Sequence, residues 1–115
     1  MITEEMKEQF NEQSMLMILH AGDAREKVNE ALDQAMTGAY NTAAELIKEA
    51  KENINKSHKI QTVQVQKEAK EEAYYYSMLF AHAQDTLMTV QSEYNITKKL
   101  IPLLERLEQK INEIA

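Results

Sequence analysis

A chain of 115 residues makes one domain, 1–115, able to bury roughly 65% of the surface that its unfolded form exposes. Its net charge of -6 excludes the basic stripe of a nucleic-acid binder and argues against an anchor on anionic membrane, and the lack of Cys excludes a disulfide framework and thiol chemistry. Two Gly and one Pro, in a sequence rich in Ala, Glu, Lys, Gln and Met, predict long uninterrupted helices. No apolar run is long enough to span a bilayer. The acidic start Met1-Ile2-Thr3-Glu4-Glu5 lacks a signal peptide's basic region and apolar core, so the expected location is cytoplasmic without membrane insertion.

The first predicted helix covers about 3–36. Met6, Phe10, Met17, Ala21, Ala24, Val28, Ala31, Leu32 and Ala35 recur at spacings that form one stripe. Thr3 is placed to cap its start, and Glu4 and Glu5 suit the positive end of the helix dipole. Gly22 in mid-helix costs about 1 kcal/mol relative to Ala, which predicts a neighbouring helix close to it. Asp23 and Arg25 are two apart and do not face each other, so each should pair elsewhere.

Thr37-Gly38-Ala39-Tyr40-Asn41 marks a break, with Gly38 suited to a left-handed helix end. Thr42-Ala43-Ala44-Glu45 matches a capping box, which predicts a second helix over about 42–71, antiparallel to the first. Its stripe is Ala43, Leu46, Ile47, Ala50, Ile54, Ser57 or His58, Gln61, Val65 and Ala69. It turns polar after Ile54, where His58, Gln61 and Thr62 replace the Leu of a plain bundle. Three consecutive tyrosines, Tyr74 to Tyr76, cannot all face one way, so at least one should be exposed or at an interface.

The third predicted helix covers about 76–114. Its stripe is Met78, Ala81, His82, Asp85, Met88, Thr89, Ser92 and Ile96, then Leu100, Leu103, Leu104, Leu107 and Ile111. Pro102 removes one backbone donor and crowds the carbonyl near Lys98, which predicts a kink or a restart. The expected fold is all-α, an antiparallel three-helix bundle.

His82 and Asp85 lie three apart on the stripe expected to be buried, where desolvation costs free energy unless both are paired or bound. A satisfied buried histidine accounts for His82 as well as a functional one does on pattern alone. His20 reads as structural and His58 as solvated or as a hydrogen-bond partner of a site. His82-x-x-Asp85 and His20-x-x-Asp23 share a spacing that could carry bundle metal ligands, although zinc ordinarily takes more His or Cys.

Three blocks occur in order: Ala21-Gly22-Asp23-Ala24-Arg25, then His58-Lys59-Ile60-Gln61-Thr62, then His82-Ala83-Gln84-Asp85-Thr86-Leu87-Met88-Thr89. With them the sequence resembles the lactose/cellobiose-type enzyme IIA component of the bacterial sugar phosphotransferase system, over roughly Met17 to Leu104. Gly38 and Tyr40 look like that family's first turn. The resemblance implies a three-helix protomer that forms a homotrimer. It implies that His82 is the phosphoryl acceptor, carrying the group on its tele nitrogen Nε2, taken from a histidine of HPr and passed to a cysteine of the IIB component. It also implies three copies of Asp85 around the trimer axis with a divalent cation, such as Mg2+, between them. The chemistry agrees: a neutral imidazole is a good nucleophile near pH 7, and crowded carboxylates are relieved by a hard cation.

Gln84, His58 and Gln61 are expected to form a polar surround for His82. Thr86 departs from the pattern, since many family members carry a second histidine there. The sugar, whether cellobiose, lactose or chitobiose, is chosen by other subunits and stays open. Two other classes remain in view. One is a structural helical oligomer that uses His82 and Asp85 as a buried register device. The other is a two-component histidine phosphotransfer domain, whose motif places Lys and Gly just after the His, where this chain has Ala83, Gln84, Asp85 and Thr86.

Overall fold

The computed structural model describes residues 2–70 and 75–115. Three helices follow in order, α1 Glu4–Met36, α2 Tyr40–Lys70 and α3 Met78–Ile114. Among the described residues the protein is all-α, as the periodicity predicts.

Local chemistry sets the ends. The Thr3 hydroxyl accepts from the Met6 amide at 3.1 Å, and the Ser77 hydroxyl accepts from the Phe80 amide at 3.0 Å. α1 closes with Gly38 at φ +85°, the Gly38 amide donating to the Ala35 carbonyl at 3.0 Å and the Ala39 amide to Gln34 at 2.9 Å. That tight closure brings α2 in at Tyr40, two residues before the capping box, so Thr42-Ala43-Ala44-Glu45 lies inside the first turns instead of capping them. The helix closure, which needs only Gly38, outcompetes the box.

Cross-helix bonds give the directions. Ser57 on α2 meets Met17 on α1, whereas Glu49 meets the later Lys27, so these two helices are antiparallel. Ser77 meets Asn11 and Glu93 meets Arg25, at near-constant separations of 66 and 68 residues, so α3 runs parallel to α1. The bundle is a rod of 69 × 18 × 17 Å. Small residues thin its core: Ala21, Ala24, Ala31 and Ala35 of α1 and Ala43 and Ala50 of α2 are all buried. Met17, Ile54, Leu87 and Val90 fill it.

Three expectations change. The buried row of α3 is Phe80, Ala83, Leu87, Val90, Tyr94, Thr97 and Ile101, not the row through His82 and Asp85. α3 carries two apolar rows, and the one without a charged or imidazole side chain meets the bundle. α3 also continues through Pro102, which excludes the restart and leaves the kink as the expectation for that position. Finally, Gly22 is exposed, and a Cβ there would meet nothing within 4 Å, so no helix of this chain approaches it.

Candidate functional site

The site occupies the first three turns of α3, just beyond the Ser77 cap. The Ser77 hydroxyl also donates to Asn11 Oδ1 at 3.3 Å, which fixes the start of α3 against α1. Behind it Phe80 packs on Phe10 with ring centroids 4.9 Å apart, and Phe10 meets Tyr75 edge-on at 5.7 Å. Ala83 and Leu87 then seat the helix on the core. His82 stands on this rigid base with its side chain exposed.

Helical geometry places Asp85 opposite the buried row and His82 on the flank between. Asp85 shares its outward face with Met78, Ser92, Ile96, Leu103 and Ile114. Met78 is 74% exposed and Ile96 58%. A carboxylate beside exposed apolar groups is not the buried pair that the pattern predicts, and its desolvation cost is absent in the single chain.

The hydroxyls around the pair turn toward the backbone. Thr86 donates to the His82 carbonyl at 2.8 Å and Thr89 to the Asp85 carbonyl at 2.7 Å. Among the described residues no hydrogen bond joins His58, Gln61 or Gln84 to the His82 ring. His58 is exposed, while its neighbour Ser57 is fully buried and donates to the Met17 carbonyl at 2.9 Å. Gln61 is half-buried, and its Oε1 has no partner among the described residues. Gln84 is half-buried and lines a shallow depression with Phe80, Tyr75 and Glu68. Gln64, which the pattern missed, is buried and lines a larger cavity of about 730 Å³ with Met6, Phe10, Val63 and Tyr75. His82 lines neither.

Arg25 reaches across from α1, its Nε 2.9 Å from Glu93 Oε1. It thereby ties α1 to α3 on the flank that carries His82 and fulfils the expectation of a distant partner. The only signal for it in the sequence is that Asp23 cannot serve. Among the described residues no three His, Cys, Asp or Glu side chains converge, so neither His20 with Asp23 nor His82 with Asp85 makes a metal site within one chain.

The arrangement offers one imidazole on an open helix face, outside the cavities that would enclose a small substrate. Such a group is accessible to another protein's reacting side chain. The family model of the PTS system, Lactose/Cellobiose specific IIA subunit, matches residues 12–105. The lactose-specific EIIA component of the PTS system from Staphylococcus epidermidis is 40% identical over 90 residues, 78% of this chain and 86% of that protein. The crystal structure of the PTS cellobiose-specific enzyme IIA from Bacillus anthracis superposes with a TM-score of 0.81 at 35% identity, covering 96% of both chains. A IIA(Chitobiose) structure from Escherichia coli, solved in complex with HPr, superposes with a TM-score of 0.78 at 30% identity over 86% of this chain and 96% of that one. No described helix is long and apolar enough to cross a membrane. A matching family model over most of the length, relatives of 35–40% identity and the same fold together place this chain in the lactose/cellobiose-specific IIA family of the sugar phosphotransferase system.

Proposed function

We propose that the protein is a cytoplasmic phosphocarrier in disaccharide uptake, and that His82 carries the phosphoryl group. The observation that supports this most is the exposed imidazole on a firmly seated helix, outside both cavities described, where another macromolecule's side chain can meet it. In the first step a lone pair of the His82 imidazole, at Nε2, forms a bond to phosphorus. The bond from phosphorus to the donor histidine of HPr breaks, and its electron pair returns to that ring. In the second step a cysteine thiolate of the IIB component attacks phosphorus, and the bond to His82 breaks. Each step needs alignment and an accessible nucleophile, not a sugar pocket. The HPr complex of the Escherichia coli relative supports the donor.

The outward face of α3 supports a homotrimer. Met78, Ile96, Leu103 and Ile114 are exposed along one side of a 37-residue helix, an apolar strip that a lone chain leaves in water. Three parallel copies of α3 would cover it and bring three Asp85 carboxylates together. One chain supplies a single carboxylate, too few to hold a divalent cation, whereas three would make an oxygen-only set suited to Mg2+. The bound cation would offset mutual repulsion of those carboxylates. Gln84, His58 and Gln61 would serve as polar neighbours only through a partner or an adjoining copy, since none bonds His82 within the chain.

The test is a relay. The purified chain is incubated with phosphoenolpyruvate, enzyme I and HPr, then with a IIB component. Acid-labile label that moves from HPr to this chain and on to IIB supports the reading. Label that stops at HPr, with a relative's IIA charged in parallel, defeats it.

A further inference from the structure

Thr86 and Thr89 each stand four residues after a residue that the proposed function uses. The Thr86 hydroxyl donates to the carbonyl of His82 at 2.8 Å, and the Thr89 hydroxyl to that of Asp85 at 2.7 Å. Among the described residues Ser92 and Thr97, on the same helix, make no such bond. The first of these bonds bears on phosphoryl transfer.

Residues four apart on a helix are side-by-side neighbours, so Thr86 is the residue beside the imidazole on its C-terminal side. Threonine in a helix divides between two χ1 rotamers because its hydroxyl can bond a carbonyl one turn back. The observed bond selects one of them. It has two consequences for His82. The branched side chain next to the ring is held in a single position. The Thr86 hydroxyl proton is directed at the backbone, so it does not cap the nitrogen lone pair that must attack phosphorus.

We infer that Thr86 is a positioning residue for the phosphoryl acceptor, acting through its hydroxyl bond to the His82 carbonyl. The inference rests on His82 being the acceptor, and its test separates the two. Thr86→Val keeps the branch and removes the hydroxyl bond. Thr86→Ser keeps the hydroxyl and removes the methyl. The position is on the helix surface, and circular dichroism checks that α3 is retained in both variants.

Rates of charging by phosphorylated HPr are measured for the wild type and both variants, with His82→Ala as control. The expected result is a kcat about fivefold lower for Thr86→Val at unchanged KM, the effect of one lost hydrogen bond felt in the reacting complex, and a kcat for Thr86→Ser near the wild type. Thr86→Val within about twofold of the wild type, an effect on KM alone, or an equal fall in both variants overturns the inference. Full charging of His82→Ala overturns the acceptor assignment instead.

Discussion

Ser57 and His58 stand side by side on α2, and only Ser57 points inward. The polar stretch after Ile54 leaves the choice between them open, because either could occupy the inner row. The structure selects the small hydroxyl, which satisfies itself on the Met17 carbonyl, whereas a buried imidazole there would need partners that α1 does not offer. Ser57→Ala should therefore cost about 1 kcal/mol of stability, read as a lower midpoint in urea with an unchanged slope. Leu87 sits in the middle of the core, 2% exposed, and Leu87→Ala should cost about 2–5 kcal/mol in the same measurement. His82→Ala, on the exposed flank, should leave the midpoint nearly unchanged while abolishing phosphorylation. The contrast separates a functional histidine from a structural one.

The lengths and order of the helices were legible in the sequence because the apolar spacing is long and the breakers are few. The end of α1 was legible in Gly38, whose positive φ only glycine adopts cheaply. A Cβ there would come no closer than 3.9 Å to Glu108, so Gly38→Ala should cost about 1–2 kcal/mol through the backbone alone, as a urea melt would show. The start of α2 was not legible, because a capping box two residues on offers a rival that local pattern cannot rank. Beside this turn the Tyr40 hydroxyl donates to the Glu108 carboxylate, holding the far end of α3, and that bond pushes the Tyr40 pKa up to about 12. The neutral phenol is the form that the fold favours. Its stabilising contribution is complete below pH 10, the ordinary tyrosine value, and is lost as pH rises through about 12. Ultraviolet titration should show a tyrosine ionising near pH 12, and Tyr40→Phe should remove that step.

At the scale of the whole molecule, the outward face of α3 carries the account. Periodicity picked out the row through His82 and Asp85, which faces out, and missed the row from Phe80 to Ile101 that meets the bundle. Both satisfy the helical repeat, and only the shapes of α1 and α2 decide. Asp85 consequently moves from an expected core position to a face left exposed in one chain. If three copies cover that face, sedimentation should give a trimer. Asp85→Leu should then lose the bound cation in metal analysis while keeping or strengthening the trimer, since apolar volume replaces carboxylates that repel one another. A monomeric wild type, or a variant that falls apart, would contradict that arrangement. The proposal that His82 is the reacting group rests on the ordered blocks around it, not on burial, which the structure shows to be the reverse of what its stripe suggests.

The most direct measurement locates the phosphoryl group itself. The chain is charged through HPr, kept at alkaline pH to preserve the acid-labile bond, digested and fragmented in a mass spectrometer. The account predicts one phosphoryl group per chain on His82, and phosphorus NMR of the intact protein should report the Nε2 isomer. A group found on His20, His58 or a hydroxyl residue, or none on His82, would contradict it.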